Sequence, residues 1–186
     1  LARVTGVIAE VAGSTAVGDP FASETTMGPL VSRDQLRRIS GLVDRALATG
    51  HVNLVAGGPL NEEPGFYYAP TVLAGVHHED QIVQQEIFGP VATICTFNSE
   101  SEAIALANGV SQGLAASVWT SNLDRAMRVS KALKVGTVWV NSHGATVAEM
   151  PFGGVKESGF GRDLSIYAIE QHTILKHIAI FVDPAE

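Results

Sequence analysis

The sequence predicts an α/β fold: a largely parallel open sheet with flanking helices, extended by a C-terminal oligomerisation strand. Short β-prone runs alternate with helical patterns of about ten to fifteen residues, the order that builds parallel strands through helical crossovers. The run Val91–Phe97 is mostly apolar, as expected of a strand covered on both faces. Between these runs, capping residues and Gly/Pro turns fall where elements should begin and end.

Taken in order, Leu1, Val4, Val7, Ile8 and Val11 stand at helical spacing, and Gly13 and Gly18-Asp19-Pro20 close that segment. Ser32-Arg33-Asp34-Gln35 has the form of a capping box, in which Gln35 reaches back to the first amides. The helix it opens carries Leu36, Ile39, Leu42, Val43, Ala46 and Leu47 on one face and stops at Gly50. Val52–Val55 reads as a short strand closed by Gly57-Gly58-Pro59, and Phe66–Val72 as an extended run in which Pro70 restricts pairing. After Val91–Phe97, Ser99 caps a helix ending near Asn108-Gly109. Ala115–Trp119 is the next strand, and Ser121 or Asn122 caps a helix through Lys131. Gly136–Val140 follows as a strand. Ser142–Arg162 is glycine-rich without a clean period, the texture of a long functional loop. A short helix over Ser165–Glu170 leads into Thr173–Val182, whose alternating apolar residues suit pairing with a neighbouring subunit.

The 186 residues suffice for one domain with a real core. Only 17% are charged against 46% hydrophobic, fewer charges than the usual quarter, which points to apolar surface meant for a partner. The net charge is -7 and the basic residues do not cluster, so nucleic acid and acidic membranes are poor partners. No apolar run approaches the roughly 20 residues of a membrane span. A cytoplasmic location is the simplest expectation. Cys95 is the single cysteine, so no internal disulfide forms; within an apolar run it reads as a small hydrophobe. The six histidines show no metal-ligand spacing, and no metal is expected. Gly159-Phe160-Gly161 lacks the third glycine and the preceding strand of a dinucleotide fingerprint.

Two motifs carry chemistry. Glu86-Ile87-Phe88-Gly89-Pro90-Val91 places a carboxylate and an aromatic ring beside the sharp turn into a strand. A carboxylate suits a diol, since it accepts two hydrogen bonds at once. Pro151-Phe152-Gly153-Gly154-Val155-Lys156-Glu157-Ser158-Gly159-Phe160-Gly161-Arg162 packs four glycines into a dozen residues, which brings the backbone close to something.

In this order the motifs resemble the C-terminal part of an NAD(P)-dependent aldehyde dehydrogenase, and most closely the aminobutyraldehyde and betaine aldehyde enzymes. Val17-Gly18-Asp19-Pro20-Phe21, Met27-Gly28-Pro29-Leu30 and Thr137-Val138-Trp139-Val140-Asn141 also look like family landmarks, so the resemblance covers nearly the whole chain. It implies that Glu86 bonds the hydroxyls of the nicotinamide ribose and that Phe88 packs beside it, with NAD or NADP as cofactor. It implies a substrate tunnel contacted by Phe152, with Glu149 at its mouth favouring a cationic aldehyde and His143 nearby. Lys156 and Arg162 are expected to hold the loop through backbone carbonyls, and Asp163 stands where the family usually has Glu. Residues 1–170 would form the C-terminal part of the catalytic domain and residues 171–186 the oligomerisation strand and tail, in a homo-oligomer of two or four subunits. The catalytic cysteine, the glutamate base and the cofactor-binding domain would all precede Leu1, leaving the isolated chain inactive. The alternative is a truncated paralogue acting as a non-catalytic oligomerisation or binding module.

Overall fold

The computed structural model describes residues 1–60 and 65–182. They form two compact units, Leu1–Val110 and the chain from Ser111 onward. The first contains α1 (Ala2–Ser14), α2 (Arg33–Leu47), β1 (Asn53–Pro59), β2 (Tyr68–Ala74), α3 (Gln81–Gln84), β3 (Val91–Ile94) and α4 (Glu100–Asn108). The second contains β4 (Gln112–Gly113), β5 (Ala115–Val118), α5 (Leu123–Ala132), β6 (Thr137–Val140), β7 (Val155–Lys156) and α6 (Ser165–Gln171).

The pairing is mixed rather than largely parallel. In the first unit the strand order is β1-β2-β3, with β1 antiparallel and β3 parallel to β2. Chain connectivity decides this. The link from Pro59 to Tyr68 is too short for a crossover, so β2 returns antiparallel, whereas α3 lies on the way to β3 and permits the parallel sense. In the second unit β5 and β6 pair in parallel across α5, while β4 and β7 form a two-residue antiparallel ladder.

The first unit's core is the apolar face of α2. Ser32 caps it by accepting a bond from Gln35 N at 3.1 Å. Ile39, Leu42, Val43 and Ala46 are buried against Val52, Tyr68, Leu73, Val76 and Ile82. Each large side chain of this set contributes about 1.5–3 kcal/mol by burial. Tyr68 is 1% exposed, and its hydroxyl has no hydrogen bond of good geometry among the described residues, although Thr71 Oγ1, which donates to Ala69 O and accepts from Gly58 N, lies nearby. Burial pushes the Tyr68 phenol above its ordinary pKa; the Asp44 charge adds to this and the nearby Thr71 hydroxyl opposes it.

Several expectations change. Phe66–Val72 is not a poorly paired run: β2 is the central strand and contains Pro70. The missing N–H is absorbed by register shifts in β1 between Leu54 and Gly58, with Gly58 N turning to the Thr71 hydroxyl at 2.9 Å. Val91–Phe97 is not covered on both faces. β3 ends at Ile94 and, among the described residues, pairs only with β2, so it is an edge there, and Cys95 is exposed rather than buried. In α1, Leu1, Val4, Val7 and Val11 face solvent, and only Ile8 of the apolar set is half-buried. Thr173–Val182 forms no strand among the described residues, and Ile174, Leu175 and Phe181 are at least 94% exposed. A strand exists by its partner, and this segment finds none among the described residues; residues 183–186 lie outside them. The other helices fall where the caps predict: Ser99 accepts from Glu102 N and Asn122, not Ser121, from Arg125 N. No helix among the described residues is long and apolar enough to cross a membrane.

Candidate functional site

The Glu86 motif joins α3 to β3, and α2 fixes its backbone. Gln35 Nε2 donates to Ile87 O at 3.0 Å and to Phe88 O at 2.7 Å. The Arg38 guanidinium, one helical turn further on, donates to the carbonyls of Glu86 and Ile87. Two side chains thus hold three successive carbonyls. Gly89 lies directly over Ile39, and a Cβ there would run into the Ile39 side chain, so only glycine allows this approach. Pro90 O accepts from Thr71 N at 2.7 Å, which ties the motif's end into the sheet.

This clamp leaves both candidate side chains outside. Phe88 has φ +56°, a region that costs a non-glycine residue about 1–3 kcal/mol unless its surroundings enforce it. The bond from Gln35 to its carbonyl is part of that enforcement. Its ring is 74% exposed. Glu86 is exposed too, and its carboxylate has no hydrogen bond or ion pair among the described residues. A carboxylate on a fixed backbone with unspent acceptors, two residues from an open aromatic ring, fits a ribose diol. The motif enters β3 at its amino end, so the rule placing ligands at the carboxyl ends of strands does not locate it; the α2 clamp does.

In the second unit His143 and Phe152, expected on the substrate side, gather around Trp139. Its ring meets His143 edge-on, with centroids 5.1 Å apart, and Phe152 at 6.4 Å. Trp139 Nε1 donates to Ala145 O at 2.6 Å, folding the loop after β6 back over the strand. His143 Nδ1 lies 2.6 Å from Ser117 Oγ. Trp139, Val147, Met150 and Phe152 line a cavity of about 380 Å³, and Phe152 also borders one of about 860 Å³ beside Arg162. Both volumes lie within the range of small-molecule sites. Glu149 adjoins the wall residue Met150; it is exposed and its carboxylate has no partner among the described residues.

The glycine-rich loop is held as its basic residues suggest. Arg162 Nη1 donates to Gly154 O at 2.9 Å and Gly161 O at 2.6 Å, and Lys156 Nζ to Gln112 O at 3.5 Å. Phe152 and Asp163 bond reciprocally through their main chains. Gly136 packs against the Gly153 carbonyl with no room for a side chain.

Sequence reasoning missed Gln35 and Arg38 as anchors of the motif. Gln35 was expected to reach back within its own helix end; its side chain reaches Ile87 and Phe88 instead. It also missed the structural part of Asn141. That residue adopts φ +53° and pairs its amide with Thr120, accepting from N at 2.8 Å and donating to O at 2.9 Å. The histidines, scattered in sequence, are not all scattered in space: His51, His77 and Asp80 bring ligand atoms within 4.8 Å of one another.

Comparison with known proteins gives this geometry a family. The family described as the aldehyde dehydrogenase family matches residues 2–178. Betaine aldehyde dehydrogenase of Cereibacter sphaeroides is 42% identical over 179 residues, covering 96% of this chain and 37% of the relative. An aldehyde dehydrogenase of Emericella nidulans is 43% identical over 169 residues, covering 91% and 34%. Among solved structures, the NAD+ complex of aldehyde dehydrogenase from Bacillus cereus superposes with a TM-score of 0.89 at 40% identity, covering 94% of this chain and 35% of that one. Betaine aldehyde dehydrogenase from Staphylococcus aureus in complex with NAD+ gives 0.88 at 34% identity, covering 95% and 36%. The chain belongs to the aldehyde dehydrogenase family. It spans about a third of the length of the curated relatives it matches.

Proposed function

We propose that this chain supplies the ribose-holding and aldehyde-holding elements of an NAD(P)-dependent oxidoreductase that converts an aldehyde and water to a carboxylic acid. The observation that carries this reading is the outward presentation of Glu86 and Phe88 from a backbone clamped by Gln35 and Arg38. Glu86 accepts hydrogen bonds from the ribose hydroxyls, and Phe88 covers the ribose from the side. The bound dinucleotide supplies the hydride acceptor. Phe152 and Trp139 form an apolar wall for the aldehyde, which keeps water away from one side of the substrate. Glu149, beside Met150, attracts an amino- or trimethylammonio-aldehyde by charge. His143 orients the Trp139 ring from its edge.

In the same reading, residues 1–170 are the C-terminal part of the catalytic domain. The tail from residue 171 pairs with a second copy in a dimer or tetramer, which suits the exposed apolar side chains of Ile174, Leu175, Ile178, Ile180 and Val182. The chain alone is inactive, because its one cysteine, Cys95, lies exposed just past the end of β3 and belongs to neither motif. The test is reduction of NAD(P)+ by the complete protein with aminobutyraldehyde, betaine aldehyde and acetaldehyde, run beside the 186-residue chain. The expected result is aldehyde-dependent NAD(P)H from the complete protein only. No reduction with any aldehyde, or robust reduction by the chain alone, would overturn the reading.

A further inference from the structure

The first unit holds a second constellation that the ribose and aldehyde elements do not use. His51 lies in the turn between α2 and β1, His77 in the loop after β2, and Asp80 just before α3. The β1–β2 register pairs Asn53 with Ala74, which brings the chain before β1 beside the chain after β2. Val52 and Val76 are buried in the core next to these histidines and pin both segments. His51 Nε2 meets Asp80 Oδ2 at 2.9 Å, and the same oxygen accepts from His77 N at 2.7 Å. The two imidazoles stack with centroids 4.0 Å apart and planes within 6°.

We propose that His51, His77 and Asp80 form a binding site for one borderline divalent cation of the zinc, cobalt or nickel type. Two imidazole nitrogens and one carboxylate oxygen within 4.8 Å of one another are the donor set that such ions prefer to magnesium or calcium, which favour oxygen alone. Three protein ligands leave further positions to water. Stacked rings cannot both aim a lone pair at one ion, so one must turn. His77 is the one able to do so: its side chain is exposed, and its ring has no hydrogen bond among the described residues. His51 gives up its bond to Asp80 and binds through the same nitrogen. The ion then joins the α2–β1 turn to the β2–α3 loop on the far sides of two buried valines and stabilises the folded form by mass action.

The experiment is titration of the tag-free, metal-stripped full chain with Co2+, read by visible ligand-field absorption, equilibrium dialysis and thermal unfolding. The expected result is one ion per chain, an absorption band of imidazole-bound cobalt that competing Zn2+ abolishes, and a raised unfolding temperature that Zn2+ alone also gives. Loss of an outer partner alone costs about 10- to 100-fold in metal affinity. His77→Ala and Asp80→Asn should therefore each weaken binding by at least that much, while His78→Ala leaves it unchanged. His77 is exposed, so His77→Ala tests ligation without disturbing the core, and circular dichroism verifies its fold. Absence of stoichiometric binding, or binding equal in the wild type and His77→Ala, would overturn the proposal.

Discussion

Arg38 and Glu86 are 48 residues apart in sequence, yet the guanidinium of one donates to the main-chain carbonyl of the other. The bond leaves the Glu86 carboxylate untouched and fixes only where it starts from. A helix built for the core thereby positions an exposed carboxylate: α2 buries Ile39 while its neighbours Gln35 and Arg38 reach up to the motif.

Arg38→Ala should leave the fold intact, since Arg38 is exposed, but weaken NAD(P)+ binding to the complete protein several-fold by freeing the Glu86 backbone. Arg38→Lys should restore only part of the affinity, because an ammonium cannot span two carbonyls as the planar fork does. Cofactor titration by fluorescence, with thermal unfolding alongside, separates this from general destabilisation; affinity equal to wild type in Arg38→Ala would remove the clamp's significance.

Asn141 should matter to stability in a way that splits by substitution. Asn141→Gly keeps the left-handed backbone but loses both bonds to Thr120, at a cost of about 1–3 kcal/mol if either partner is left unsatisfied. Asn141→Ala adds backbone strain at φ +53° and should be the less stable of the two. Denaturant unfolding ranks them, and the reverse order would contradict this account.

Tyr68 gives the stability a definite alkaline limit. Its folded-state pKa is raised above the ordinary 10.0, so the folded form retains its proton where the unfolded chain has lost it. The stability is whole below 10.0 and falls as pH rises from there toward the folded value. Tyr68→Phe removes a buried hydroxyl that lacks a good bond, so it should be neutral or stabilising at neutral pH and should flatten the alkaline decline. A large loss of stability in Tyr68→Phe at neutral pH would show that the hydroxyl has a partner after all.

Glu149→Gln should lower kcat/KM for a cationic aldehyde and leave a neutral one unchanged. Two unit charges 4 Å apart in water attract by about 1 kcal/mol, so the effect is a few-fold and shrinks with added salt. Equal losses for both aldehydes would point to a packing role for this loop position.

How much of this was legible follows from range. Ser32, Ser99 and Gly50 act on neighbours within a turn, and the helix limits they mark appear in the structure. The strand senses depended on connection lengths and partners, which local patterns do not encode, so the mixed sheet and the edge position of β3 went unread. Thr173–Val182 has the composition of a strand but no partner among the described residues. At the site, Glu86, Phe88 and Phe152 were visible as motif residues. The bonds from Gln35 and Arg38 span about fifty positions and leave no local trace.

The most direct test of the central claim is the dissociation constant of NAD(P)+ for Glu86→Ala and Glu86→Gln in the complete protein. A carboxylate accepting two ribose hydroxyls contributes about 1.5–3 kcal/mol per bond, so Glu86→Ala should bind at least about tenfold more weakly. Its unfolding temperature should be unchanged, because the side chain makes no internal bond among the described residues. Glu86→Gln should fall between the two. Affinity equal to wild type in Glu86→Ala would contradict the account, since the clamped motif would then present its carboxylate to nothing.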